Sequence, residues 1–274
     1  MKRRTAILTL ILLSMILLGC SKGNRGEIIP ASGYIEATEV RIGTKVPGKL
    51  ASLLIAEGDA VRKGQTIARI DPVDLRLALD TANAERAQAN ADVNGAGTDL
   101  KRMQQLFDTG SGTAKARDDA RTRFEVASAR LASANAKTAQ LAQQLADTAI
   151  ASPLDGIITE KLAEEGELLS PGATIAVATD VRNAWLTAYV GEPDVPRIRL
   201  GQEADVTTDA AGVSRKGKIT FVSSAAEFTP KNVQTRDERV KLVFKIKITI
   251  DNRDLTFKPG MPAQAKIPIS AAAK

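Results

Sequence analysis

The chain has 274 residues, 43% of them hydrophobic and 26% charged, with a formal net charge of +6, enough for one large or two to three small globular units. It holds no His, one Cys, one Trp and two Tyr. That inventory excludes Ser-His-Asp and Cys-His catalysis, intrachain disulfides, CxxC redox chemistry and imidazole or multi-thiolate metal sites. Neither a Gly-x-x-x-x-Gly-Lys-Ser/Thr phosphate loop nor a Gly-x-Gly-x-x-Gly fingerprint occurs, and the short Gly95-Ala96-Gly97 lies in an amphipathic pattern. Lys and Arg are scattered and aromatic stacking residues are few, so a nucleic-acid partner is not expected. No catalytic, cofactor or metal set is legible, and the chain reads as a non-enzyme.

Residues 1–19 carry a basic start at Lys2, Arg3 and Arg4 and an apolar run from Ala6 to Leu18. That run is shorter than the about 20 residues a membrane-spanning helix needs. Leu17-Leu18-Gly19-Cys20 resembles the bacterial lipobox, which implies a lipoprotein signal peptide cleaved before Cys20 and a membrane anchor on that thiol. Residues 20–33 are expected to be a linker from the lipidated cysteine. Ser21, at the place where Asp would favour the inner membrane, leaves the choice of membrane open.

Residues 46–70 (VPGKLASLLIAEGDAVRKGQTIARI) and 153–178 (PLDGIITEKLAEEGELLSPGATIAVA) carry one motif twice. A shift of 108 superposes Gly48 on Gly156, Glu57 on Glu165, Gly58 on Gly166, Gly64 on Gly172 and Ile67 on Ile175 without a gap. Short β-rich runs alternate with these glycines, which are expected at turns. One copy cannot bury its own apolar face, so residues 34–71 and 150–180 should close into one small β-sandwich. The halves resemble those of a biotinyl/lipoyl domain. The carrier lysine that such a domain uses would fall at Ala37 or Leu145, and Lys45 and Lys49 are wrongly spaced for it, so a swinging-arm role is disfavoured.

Residues 72–149 read as two helices. Asp71 and Pro72 suit N-cap and first helical position. A heptad seam runs through Leu75, Leu79, Ala82, Ala89, Val93, Ala96, Leu100, Met103 and Phe107. A second follows through Ala120, Phe124, Ala127, Leu131, Ala134, Thr138, Leu141 and Leu145, after a turn at Asp108 to Gly112. The pattern predicts an antiparallel coiled-coil hairpin about 50 Å long. Gly95 and Gly97 leave two readings for the first arm: the helix continues, because the seam keeps its phase, or it breaks there.

Residues 181–269 have β texture. Trp185 to Val190, Gly217 to Val222 and Leu242 to Ile250 are strands; in the last, Leu242, Phe244, Ile246, Ile248 and Ile250 share one face and Lys245, Lys247 and Thr249 the other. A small β-barrel is expected, with Trp185 as packing, followed by a tail at 270–274. The fold class is thus mixed α and β and elongated: a split biotinyl/lipoyl-like sandwich with an inserted helical hairpin, then a β-barrel.

This order of parts resembles the periplasmic adaptor, or membrane fusion protein, family of the HlyD type. The resemblance implies residence in the periplasm of a Gram-negative bacterium, lipid-anchored to the inner membrane. It implies as partners an inner-membrane transporter, a TolC-like outer-membrane channel and further copies of the chain in a ring of six. It also assigns the channel contact to Arg102, Leu106 and Thr113, the last standing where the family often has serine. Phe228 to Thr235 looks like adaptors serving ABC exporters, and only five residues after Ile269 leave no room for a further β-domain, so an ABC partner is expected over an RND pump. An RND adaptor and a lipid-anchored envelope spacer stand as the alternatives. The exported substrate is not legible.

Overall fold

The computed structural model describes residues 28–208, 213–228 and 242–269. They form two compact units, one of residues 38–180 and one of residues 28–37 with 181–269. No helix among the described residues is long and apolar enough to cross a membrane.

In the first unit, residues 38–43 of β1 (Ile28–Gly43), β2 (Gly48–Leu53), β3 (Ala60–Val61) and β4 (Thr66–Ile70) come from the first motif copy. The second copy supplies β5 (Ala149–Ala151), β6 (Gly156–Lys161), β7 (Leu168–Leu169) and residues 174–180 of β8 (Thr174–Gly191). Each copy pairs one of its strands with another, β2 with β4 and β6 with β8, but neither completes a layer alone. One sheet runs β5-β4-β2-β7, while β3 pairs with β6 and β6 with β8, so each layer mixes strands of both halves. The 108-residue shift also reproduces the register: Gly48 pairs with Leu169 where Gly156 pairs with Val61, and Leu50 with Ile70 where Ile158 pairs with Ala178. The bulge between Leu50 and Ser52 recurs between Ile158 and Glu160. Leu50, Ile67, Ile70, Ile158 and Ile175 are fully buried between the layers, each contributing about 1.5–3 kcal/mol.

The turn glutamates complete this symmetry. Leu53 N donates to Glu165 Oε1 at 2.6 Å and Lys161 N to Glu57 Oε1 at 3.0 Å, so each half supplies the acceptor for the last strand amide of the other. Of the repeat glycines, Gly58, Gly64, Gly166 and Gly172 sit at turns with φ between 83° and 94°. Gly48 and Gly156 instead open β2 and β6, which corrects their reading as turns. A Cβ on Gly156 would lie 2.5 Å from the Thr179 carbonyl oxygen, and one on Gly48 2.5 Å from Ile70 Cγ2, so close packing fixes glycine there.

α1 (Val73–Asp108) and α2 (Ala114–Ala146) are inserted between the halves. Their feet stand on neighbouring strands, because β4 and β5 pair through Thr66–Ala151 and Arg69–Ala149. At about 1.5 Å per residue the arms extend about 50 Å. The helix begins one residue later than expected: Pro72 is the N-cap and Asp71 stands outside it, though its carboxylate still accepts from Val73 N at 3.0 Å. Seam positions face inward, but only Ala82, Ala89, Ala120, Ala127 and Thr138 are buried. Between the arms, Lys137 meets Glu85 at 2.8 Å and Thr138 Oγ1 donates to Ala82 O at 3.4 Å. The helix does not break at its glycines. A Cβ on Gly97 would lie 3.3 Å from Phe124 Cε2, so this glycine makes room for the opposing ring, whereas Gly95 faces open space.

The second unit closes as a six-stranded barrel in the order β12-β10-β9-β13-β1-β8, with β12 returning to β8. Here β9 is Glu203–Thr208, β10 Ser214–Val222, β11 Glu227–Phe228, β12 Leu242–Ile250 and β13 Pro262–Pro268, and a 3-10 helix spans Glu192–Arg197. Residues 28–33, read from sequence as linker, and 34–37, read as sandwich, belong to a barrel strand. Ile28 to Tyr34 pair with Pro268 to Pro262, and Ile29, Ala31 and Ile35 are buried. The alternation that marks this strand was present, but its partner lies some 230 residues away and gives no local signal. Leu186, Ile219, Ile246, Ile248 and Phe257 fill the core. Near the start of β12 the expected alternation fails, with Leu242 43% exposed and Val243 buried.

The fully buried Asn252 ties the loop before β13, giving its amide to the carbonyls of Val181 and Phe257 and accepting from Phe257 N. Outside the barrel, Trp185 Nε1 donates to Glu36 at 3.1 Å beneath the Lys247 ammonium, which lies 4.6 Å from the indole centre. Glu227 hydrogen-bonds Lys245 at 2.7 Å and thereby holds that ammonium above the usual lysine pKa.

Candidate docking site at the hairpin tip

The tip is built by the five residues between the arms. Asp108 ends α1, Thr109 to Gly112 make the turn, and Thr113 is the N-cap of α2. Gly110 has φ 74°, a conformation that strains any other residue, and its N–H donates to Phe107 O at 3.0 Å. The Leu106 carbonyl takes three donors, from Ser111 N, Gly112 N and Thr109 Oγ1. These bonds satisfy carbonyls that a helix C-terminus otherwise leaves open.

Of the expected contact residues, Arg102 and Leu106 lie one helical turn apart on the same side of α1. Leu106 is 39% exposed, large for a leucine so close to a coiled-coil seam. The seam is closed instead by its neighbour Phe107, whose ring lies 4.3 Å beneath the Arg117 guanidinium of the other arm. Arg102 Nη1 is 3.1 Å from Asp99 Oδ1, an exposed pair one turn back that restrains the side chain weakly. Thr113 is occupied structurally, since its hydroxyl accepts from Ala116 N at 3.2 Å as the N-cap of α2. Gly112 joins the two sides, since a Cβ there would lie 3.1 Å from Leu106 Cβ.

The tip therefore offers one apolar side chain and one guanidinium, held on a rigid turn. Such a pair can fill a small apolar groove and donate to carbonyls beside it, but it has no groups for bond-breaking chemistry. Sequence reasoning missed the Phe107–Arg117 clasp and the close packing at Gly112. An aromatic facing an arginine ten residues on across a short turn was the available signal. Among the described residues no cluster of His, Cys, Asp and Glu could hold a metal ion. Cys20 and residues 229–235 lie outside the described residues, and Phe228 ends β11.

Residues 38–181 match the family model described as RND MFP, barrel-sandwich hybrid domain, and residues 183–270 the one described as CusB-like, beta-barrel domain. A UPF0194 membrane protein of Yersinia pseudotuberculosis is 31% identical over 289 residues, covering 86% of this chain and 88% of that protein. One of Citrobacter koseri is also 31% identical, covering 84% and 86%. Among solved structures, MacA from Actinobacillus actinomycetemcomitans superposes with TM-score 0.73 at 21% identity, covering 89% of this chain and 79% of its own. A membrane fusion protein from Streptococcus pneumoniae R6 gives 0.70 at 19% identity, covering 89% and 100%. At these identities the structural likeness is one of fold.

Proposed function

Because the chain belongs to the membrane fusion protein family of efflux adaptors, we propose that it joins an inner-membrane exporter to a TolC-like outer-membrane channel, with its hairpin tip as the channel-facing end. The observation that carries this reading is the hairpin itself. Two unbroken helices of 36 and 33 residues rise from adjacent sandwich strands and end in an ordered tip that leaves Leu106 and Arg102 outward. In this reading Leu106 fills an apolar groove of the channel, Arg102 exchanges Asp99 for channel carbonyls, and Thr113 keeps the α2 end ordered beside them. Copies of the chain form a ring, six by family resemblance, whose lumen carries the exported molecule. Lipid on Cys20 holds the ring at the inner membrane, in the periplasm of a Gram-negative cell. The transporter supplies the energy, and the adaptor performs no bond-breaking chemistry of its own.

The passage from Phe228 to Thr235 supports an exporter of the ABC type. A proton-driven RND partner is the second reading, favoured by the wording of the family model that covers residues 38–181. Export that stops with vanadate and survives a protonophore selects the first; the opposite pattern selects the second. The adaptor reading itself is tested by Leu106→Asp and Arg102→Asp in cells. Each should abolish crosslinking of the tip to the channel and the export phenotype while the protein level stays unchanged. Full export in both variants would leave the chain a mere envelope spacer.

A further inference from the structure

The cleft at the foot of the hairpin has no part in the reading above. It encloses about 280 Å³ and is lined by Ser52 of β2, Arg69 of β4 and Arg76 in the first turn of α1, together with Ile70, Leu145 and Thr148. Ser52 and Arg69 are cross-strand partners, and Arg69 is exposed on a strand whose neighbours Ala68 and Ile70 are buried, so both stand on the outer face of the sheet. Thr148 gives its hydroxyl to Leu145 O, and of the acids adjoining the cleft in sequence Asp71 accepts from Val73 N while Asp147 pairs with Lys45 at 3.3 Å. Among the described residues neither guanidinium has a carboxylate within ion-pair distance, and the Ser52 hydroxyl has no hydrogen-bond partner. Two guanidinium forks and a hydroxyl on one concave surface make a receptor for a carboxylate.

The internal symmetry of the sandwich supplies a matching acid. The shift of 108 carries Ser52 onto Glu160 and Arg69 onto Val177, and Glu160 and Val177 are likewise cross-strand partners. Arg76 lies in the inserted helix and has no counterpart. The face that is basic in the first half is thus acidic in the second, at an exposed Glu160 without an ion-pair partner among the described residues.

We propose that the Arg69–Arg76 cleft receives the Glu160 carboxylate of a second copy of this chain. Each copy then carries a basic cleft, walled by the hairpin foot, and an exposed acid at the symmetry-related strand position, where the mate of Arg69 is the buried Val177. Copies pack head to tail, and a heterologous contact of this kind repeats until a ring closes. The charge pair lies near solvent and sets register and direction more than overall affinity. The proposal rests on the adaptor reading, which requires a ring.

The test uses full-length chains in cells, one tagged form with Ala51→Cys beside the cleft and another with Thr159→Cys beside Glu160. A disulfide-linked pair should form when the two are made together and in neither alone. Absence of the mixed pair, or an Ala51→Cys homodimer, overturns the proposal. In the same assay, Glu160→Arg, or Arg69→Glu with Arg76→Glu, should lower the mixed pair by roughly tenfold, and the three changes together should restore it. Loss without restoration also overturns it. Crosslinking of the tip to the channel separates the two readings: if it persists without the mixed pair, only this interface fails, and if both are missing the adaptor reading falls.

Discussion

The sandwich and the hairpin share one stretch of chain and are stabilised in different ways. In the sandwich, large side chains such as Leu50, Ile67 and Ile158 are fully buried, and every layer needs strands from both halves. The hairpin buries four alanines and a threonine, and its leucines and phenylalanines remain half-exposed along the seam. Apolar area therefore anchors the first, while helix propensity, end capping and a few cross-arm contacts maintain the second. Loss of one side chain should be felt strongly in the sandwich and weakly in the hairpin. A rod of this kind keeps its surface for partners, and a sandwich of this kind fixes where the rod starts.

Leu50→Ala is the hardest blow to that contrast: a cavity between the layers should cost about 2–5 kcal/mol in chemical denaturation. The same truncation at Leu100 on the half-exposed seam should cost well under half as much; equal losses would mean that the hairpin has a core of its own. Next come the exchanged acceptors. Glu165→Ala leaves Leu53 N, and Glu57→Ala leaves Lys161 N, without a side-chain partner, at about 1 kcal/mol each. Because the sites are equivalent, their losses should agree within about 0.5 kcal/mol; a large disparity would show that the two halves fold unequally.

At the tip, Thr113→Ala removes the α2 cap and should cost about 1 kcal/mol, seen as faster amide exchange at Ala116 and its neighbours, with Thr113→Ser close to neutral. The smallest and most discriminating change is in mid-arm. Gly95→Ala meets open space and should stabilise the helix by about 0.8 kcal/mol. Gly97→Ala must displace the Phe124 ring and should gain less, or lose.

Much of this was legible in the residues. The repeat announced itself through glycines and glutamates at fixed spacing, and its pairing followed because neither half could cover its own apolar face. The seams were legible as well, because a helix writes its buried side at every third and fourth residue. What escaped were features whose partners are distant: the strand from Ile28 to Ala37, which is completed by β13, and the division of the repeat glycines into four turn positions and two close approaches. At the tip, Leu106 and Phe107 are adjacent apolar residues, and only the fold shows that Phe107 closes the seam under Arg117 while Leu106 is left outward.

Periodicity and repetition, which act between residues close in sequence or between copies of one pattern, determined by themselves that this chain has a split sandwich, a helical hairpin and a barrel. Only the tertiary structure decided which acids and bases are left without partners, because the symmetry that shapes Ser52 and Glu160 alike says nothing of the charge that the inserted helix adds to one side alone. That asymmetry depends on atoms brought together from far along the chain, and no local pattern encodes it.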